Sequence, residues 1–169
     1  MGGFSHREFR DALGLFPTGV CVVTASGGAG GLCGITVNSF TSVSLNPPLI
    51  LISLARSLYS LPLFLAADSF AVNILSEDQQ EFSDRFARAL SDKWKEVPVR
   101  TGAIGCPVLR SSLAVLECRK HAEYDGGDHV LVLGRVEYIE TAKQARPLVY
   151  YLGQYCSLGS GSHGDAPGE

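Results

Sequence analysis

The sequence predicts a mainly β fold in one domain, an antiparallel barrel or sandwich with short helical covers. The 169 residues include 19 glycines and 8 prolines, which suit many short strands and turns better than long helices. The apolar runs are short, and no β-α-β alternation appears along the chain. The 46% hydrophobic and 18% charged residues are typical of a compact core rather than a disordered chain.

The first half of the chain is predicted to begin with an amphipathic helix over residues 5–16. Ser5 and Glu8 have the spacing of a capping box, and Pro17 ends the helical pattern. Three apolar runs then predict strands, with a hairpin loop of glycines at 27–31 and a proline turn at 46–48 between them; the runs are 19–25, 32–38 and 49–54.

The second half begins with a predicted short helix over 60–67 and a strand over 70–75. A second capping box, Ser76 with Gln79, predicts a third helix whose apolar face includes Phe82, Phe86 and Leu90. Residues 91–107 have no clear period and are predicted to be irregular. Strands are predicted to return at 113–119, 129–140 and 148–152, separated by turns at 124–128 and 145–147. We expect a folded domain over 1–156 and a flexible tail over 157–169.

Composition excludes several classes of function. A net charge of -3 provides no basic field, so a dedicated nucleic-acid binder is disfavoured. No apolar run approaches the roughly 20 residues that cross a bilayer, and residues 1–10 lack a signal-peptide core, which predicts a soluble, cytoplasmic protein without membrane contact. The five cysteines form no C-x-x-C pair, so disulfides and a metal site are both disfavoured.

Polar residues concentrate in a few places that could carry chemistry. Hydroxyl and amide side chains alternate with apolar ones from Thr36 to Ser44, a row that suits a polar heterocycle or simply an exposed strand face. Arg56, between Ser53 and Ser57, lies where a strand leads towards a helix and could bind phosphate or only cap the helix. Arg85, Arg88 and Lys93 could serve a ligand phosphate or form a solvated basic face. His129 follows Gly126-Gly127-Asp128 at a strand start, where it could be functional or structural.

In this order and spacing, the segments resemble the short-chain flavin reductases, the reductase components of two-component flavin-dependent monooxygenases. The match runs from about Phe9 to Tyr155. It is carried by these segments: Phe16-Pro17-Thr18-Gly19-Val20, the row 36–44 with Leu45-Asn46-Pro47-Pro48, Phe70 to Leu75, Gly127-Asp128-His129, and Pro147 to Tyr151 with Gly153 and Tyr155. Residues 85–88 and 91–94 are similar to the reductases of actinomycete antibiotic pathways.

The resemblance implies an FMN-binding split β-barrel of Greek-key type, a homodimer with flavin near the subunit interface. It implies an NAD(P)H-dependent flavin reductase that uses NADH, or NADPH, to reduce FMN or FAD and passes the reduced flavin to a partner monooxygenase. By position, the expected flavin contacts are Thr36, Val37, Asn38, Ser39, Ser42, Val43, Ser53, Arg56, Ser57 and Arg88. The expected nicotinamide contacts are His129, Tyr151 and Tyr155, with His129 in the catalytic position.

Two other functions fit the same residues. The chain could hold FMN as a prosthetic group and act on a small organic substrate, or it could bind and store flavin without catalysis. The sequence does not decide between FMN and FAD, or between NADH and NADPH.

Overall fold

The computed structural model describes residues 3–27, 31–89, 92–142 and 146–159, and it confirms a mainly β fold with short helices and antiparallel strands. The helices are α1 (His6–Gly14), α2 (Leu61–Leu65) and α3 (Gln80–Ala87), and a 3₁₀ turn at Glu77–Gln79 precedes α3. The strands are β1 (Thr18–Gly19), β2 (Cys21–Ser26), β3 (Leu32–Val37), β4 (Thr41–Leu45), β5 (Pro48–Ala55), β6 (Ser69–Ile74), β7 (Val99–Thr101), β8 (Pro107–Leu109), β9 (Ala114–Gly126), β10 (His129–Thr141), β11 (Val149–Tyr151) and β12 (Gln154–Cys156).

Seven strands form the central sheet, in the order β3-β2-β6-β9-β10-β5-β4. The edge strands β3 and β4 are consecutive in the chain and are joined by residues 38–40 alone, so the sheet must curl to bring its two edges together there. No ladder joins β3 to β4 within the described residues, so no closed barrel is seen there. Instead, the sheet is curled and open along this seam.

The core lies on the inner face of the curled sheet. Alternate residues of each strand point inward, among them Val23 of β2, Ile52 of β5 and Val132 of β10, all fully buried. Helix α2 closes this core with Phe64, whose ring lies 5.4 Å from that of Phe70.

A second layer covers the outer face of β2, β6 and the first half of β9. It consists of α3, the β7–β8 hairpin and a three-stranded sheet ordered β1-β11-β12. Gly34 of β3 permits the close approach of α3, because a Cβ there would lie 2.5 Å from the Phe86 ring. This layer brings α3 and β12 beside the end of β3.

Both predicted capping boxes are present, at Ser5 with Glu8 and at Ser76 with Gln79. The second opens the 3₁₀ turn, which leads into α3. None of the helices in the described ranges is long and apolar enough to span a bilayer.

Three predictions of local structure need correction. The region predicted as irregular, 91–107, contains β7 and the start of β8, which pair with each other and pack under Ala71 and Val115. The predicted turn at 124–128 is shorter, because β9 continues to Gly126 and leaves only Gly127 and Asp128 between the strands. Strand β12 was not predicted separately. Predictions for Gly28–Gly30, Leu90, Ser91, Ala145 and the tail from Ser160 lie outside the described residues.

Candidate functional site

A cavity of about 190 Å³ opens where β3 ends. Strands β3 and β11, helix α3, and β12 each supply part of its wall. The lining residues are Val20, Thr36, Val37, Asn38, Ser83, Ala87, Tyr150 and Tyr155. The wall therefore combines two valines and two aromatic rings with hydroxyl and amide groups, a composition suited to a flat, polar heterocycle.

Tyr155 connects the C-terminal sheet to α3 at this cavity. Its hydroxyl lies 2.8 Å from Ser83 Oγ and donates to Asp84 Oδ1 at 3.0 Å. Its ring meets that of Tyr150 edge-on, with centroids 5.4 Å apart. Burial, and then the neighbouring Asp84 carboxylate, raise the pKa of Tyr155 above its ordinary value, so the hydroxyl keeps its proton at neutral pH.

Thr36 connects β3 to the same helix. Its Oγ1 donates to the backbone oxygen of Ser83 at 2.7 Å. Ser83 thus accepts from Thr36 through its carbonyl and contacts Tyr155 through its hydroxyl. These hydrogen bonds join β3 to α3 and α3 to β12, so they hold three walls of the cavity together.

The segment after β3 is tied to β5 by a single hydroxyl. Ser39 Oγ donates to the Ser53 carbonyl and accepts from the Ser53 N–H, both at 3.0 Å. Asn38, beside it, is exposed at the cavity. The row that begins at Thr36 therefore runs from the cavity to the outer face of β5.

His129 lies beyond Ser53 on that outer face. It pairs with Ala55 across the β10–β5 ladder, and its Nδ1 lies 2.7 Å from Asp128 Oδ1. The hydrogen bond from His129 lowers the pKa of Asp128, which is therefore a carboxylate at neutral pH. This contact favours the tautomer with the proton on Nδ1 and leaves Nε2 as an acceptor.

Arg56 contacts the tip of the same hairpin. Its Nε donates to the Gly127 carbonyl at 2.9 Å, and an Nη atom bonds Asp125 Oδ1 at 2.5 Å. The helix that follows in sequence, α2, begins only at Leu61 and has five residues. In the structure, the guanidinium is engaged by the hairpin rather than placed at a helix N-terminus.

The structure brings together some of the sequence-predicted residues and separates others. The cavity collects Thr36, Val37 and Asn38 with Tyr155, and the outer face of the sheet collects Ser39, Ser53, Arg56 and His129. The remaining five are exposed and lie outside the cavity wall: Ser42 and Val43 on β4, Ser57 in the turn after β5, Arg88 at the C-cap of α3, and Tyr151 on β11.

Sequence reasoning missed four of the lining residues: Val20, Ser83, Ala87 and Tyr150. Ser83 and Ala87 are small residues four positions apart on α3, a spacing that marks one helix face and permits close approach. Tyr150 precedes Tyr151 in a strand, so the two rings must point to opposite sides. The helical spacing and the strand alternation could both be read from the sequence. Neither indicated which face of the helix or of the strand would contact β3.

The residues at the cavity fit a bound isoalloxazine ring. Thr36, Asn38 and Ser83 offer donors and acceptors around valine and tyrosine surfaces. The Thr18 hydroxyl, on the strand paired with Tyr150, is buried without a hydrogen-bond partner within the described part of the chain. Such an orphaned group is costly unless a ligand or water satisfies it.

One face of the sheet is apolar and belongs to none of the three core clusters described. Strand β5 and the first half of β10, as far as Gly134, bury one side and leave most of the other half-buried. The second side carries Leu49, Leu51, Leu131 and Leu133, of which Leu51 and Leu133 are directly paired across the ladder. Ser53 and His129 lie on this same outer leucine face, so whatever covers it also borders His129.

Residues 13–159 match the model of the flavin reductase like domain. A probable flavin reductase of Rhizobium meliloti is 46% identical over 82% of this chain and 45% of its own length. The reductase subunit HsaB of a flavin-dependent monooxygenase from Rhodococcus jostii is 36% identical, over 90% of this chain and 77% of that protein.

The solved NADH:FAD oxidoreductase of Streptomyces globisporus, in complex with NAD and FAD fragments, superposes with a TM-score of 0.88. It is 33% identical and covers 94% of this chain and 95% of its own. Against the first two curated relatives, however, this chain spans only about half of their length, 45% and 58%.

Proposed function

The chain belongs to the flavin reductase-like family, and on that premise we propose that it is an NAD(P)H:flavin oxidoreductase. It oxidises NADH to reduce FMN or FAD and supplies the reduced flavin to a separate monooxygenase. We propose that residues 1–156 form the single domain that carries this activity. The observation that carries this proposal is the cavity in which Thr36, Val37 and Asn38 meet Tyr155 and Ser83. That wall supplies polar and flat apolar surface together, and hydride transfer from nicotinamide to flavin is the chemistry that the two bound groups supply.

The protein's own contribution is binding and orientation. Thr36 and Asn38 hydrogen-bond the flavin ring, Val37 packs against it, and the Ser39–Ser53 junction holds the ribityl side of the site in place. Donors fixed in advance stabilise charge that develops on the ring without reorganising during the reaction. The exposed Ser42, Val43, Ser57 and Arg88 are proposed to contact the flavin chain and its phosphate end.

His129 orients the nicotinamide, with Tyr151 and Tyr155 near the same ligand. The Asp128 contact at Nδ1 orients the ring of His129, so that Nε2 would be available to a bound nicotinamide. Holding the two reactants in one orientation converts a bimolecular encounter into a step within a complex.

We also propose that two copies pair through the outer leucine face and that the curled sheet is the split barrel of the family. Four half-buried leucines on neighbouring strands, Leu51 and Leu133 directly paired, form an apolar surface that a second copy would remove from water. Because Ser53 and His129 lie on that face, the second subunit borders the nicotinamide side of each site.

The function is tested with purified protein and each of the four pairings of NADH or NADPH with FMN or FAD. We expect saturable oxidation of the nicotinamide that requires added flavin. Oxidation that needs a third, organic substrate would indicate a prosthetic flavin, and tight flavin binding without any turnover would indicate storage. Either result contradicts the proposal.

Dimerisation is tested by light scattering on Leu51→Arg and Leu131→Arg. The unaltered protein should have twice the 18.0 kDa chain mass, and each variant should shift towards one chain. Leu32→Arg, on the far edge of the sheet, is the matched control and should remain dimeric. A folded protein that is monomeric without any substitution, yet turns over NADH, contradicts this part of the proposal.

A further inference from the structure

We propose that Arg56 is a positioning residue that locks the tip of the β9–β10 hairpin, and through it His129, rather than a ligand of the flavin phosphate. This inference rests on the proposed function and departs from the role that the sequence resemblance gives to Arg56. Arg56 lies outside the hairpin, yet in this proposal it determines where the imidazole of His129 lies.

Arg56 holds the hairpin tip at three points. Its backbone N–H donates to the Asp128 carbonyl at 2.9 Å, its Nε donates to the Gly127 carbonyl, and its terminal nitrogen bonds Asp125. All three partners lie in the four residues that precede His129. Arg56, directly after β5, therefore contacts the turn through its backbone and its Nε, and the last residues of β9 through its terminal nitrogen.

The hairpin tip needs such a contact because its own residues are permissive. Gly126 and Gly127 are adjacent, and Gly127 has a φ of 75°, which favours glycine. The turn residues 125–128 are exposed, so core packing does not hold them. Apart from the β9–β10 and β5–β10 ladders, which end at the turn, the contacts from Arg56 are what defines the position of Asp128 beside His129.

The charges around Arg56 also argue against a phosphate at this point. Asp125 already neutralises the guanidinium, so an incoming phosphate would lie close to a carboxylate of like charge. Displacing Asp125 to admit the phosphate would release the hairpin. A phosphate on the same guanidinium would therefore compete with Asp125 for it or lie beside the Asp125 carboxylate.

The first test compares Arg56→Gln and Asp125→Asn, with Arg7→Gln as the control because it removes another exposed arginine–aspartate pair. We expect both hairpin variants to raise the KM for NADH by about three- to tenfold, with the double variant no worse than either single one. The KM for FMN and that for riboflavin, which lacks the phosphate, should change by the same factor. The control should match the unaltered protein.

Two outcomes would overturn the proposal. A rise in the KM for FMN but not for riboflavin, in Arg56→Gln only, would identify Arg56 as a phosphate ligand. A normal KM for NADH in Asp125→Asn would show that the ion pair does not position His129.

A second readout does not depend on turnover. The ring signals of His129, assigned with His129→Gln, are recorded by NMR in the ligand-free protein and its variants. We expect them to shift and broaden in Arg56→Gln and Asp125→Asn and to stay unchanged in Arg7→Gln; unchanged signals in the hairpin variants would refute the lock. If the unaltered protein oxidised no NADH, the proposed function would be wrong. The NMR measurement would still show whether Arg56 and Asp125 position His129.

Discussion

Removing the Tyr155 hydroxyl tests the connection between the C-terminal sheet and α3. In Tyr155→Phe the ring stays, so its edge-on contact with Tyr150 is kept and only two hydrogen bonds are lost. One of these bonds meets Ser83, whose side chain is 1% exposed. The other meets Asp84, which is half-buried and regains water when the hydroxyl is gone.

The size of the effect follows from these partners. A neutral hydrogen bond contributes about 0.5–1.5 kcal/mol, and a buried polar group left without a partner costs about 1–3 kcal/mol. Because Asp84 is rehydrated, the Ser83 contact dominates, and we expect the free energy of unfolding to fall by about 1–3 kcal/mol. For a chain of this length, each kcal/mol lowers Tm by about 2–4 °C.

The assay is thermal unfolding followed by circular dichroism, with Tyr59→Phe as the control because Tyr59 is 94% exposed. The KM for the flavin should rise in Tyr155→Phe as well, since Tyr155 and Ser83 both line the cavity proposed to bind the flavin ring. If Tyr155→Phe melts at the same temperature as Tyr59→Phe, the hydroxyl does not connect the two elements and the reasoning is refuted.

Three further outcomes are expected. Gly34→Ala places a Cβ 2.5 Å from the Phe86 ring and should destabilise by about 1–3 kcal/mol in urea unfolding, whereas Gly19→Ala, with open space, should not. A thiol reagent should modify Cys156 alone in the native protein and all five cysteines after unfolding, because the other four are buried; a second fast thiol would contradict this. Burial raises the pKa of Cys21 and Cys118 from 9.0 to about 12, so the unfolded chain loses these protons first as pH rises. Stability should therefore fall from pH 9 to about 12, and less steeply in Cys118→Ala, as urea unfolding at several pH values would show; an equal slope would refute the assignment.

Local structure was largely predictable because its signals lie within a few residues. The capping box at Ser5 needs only Glu8, and the alternation of β5 reports its two faces directly. The β7–β8 hairpin was missed because its three-residue strands depend on packing against Ala71 and Val115, which are distant in sequence.

The residues of the candidate site were likewise predictable only where the signal lies within a few neighbouring residues. The row from Thr36 to Ser39 and the Asp128-His129 pair were visible as patterns. The partners Ser83 and Tyr150 were not, since each meets β3 only through the docking of α3 and the C-terminal sheet. From its neighbours in the chain, Arg56 is predicted to bind phosphate or to cap a helix, whereas the side-chain contacts that it makes come from Asp125 and Gly127, about seventy positions away.

The sequence by itself determined the mainly β class, the places of most strands and turns, and the residue types in the polar row that begins at Thr36. These depend on periodicity, turn chemistry and short-range hydrogen bonds, which adjacent residues specify. Only the tertiary structure decided which side chains share the cavity, which face of β5 and β10 stays uncovered, and what Arg56 holds. Those outcomes depend on pairing between strands and on packing between layers, where partners far apart in the chain compete and only the folded arrangement selects among them.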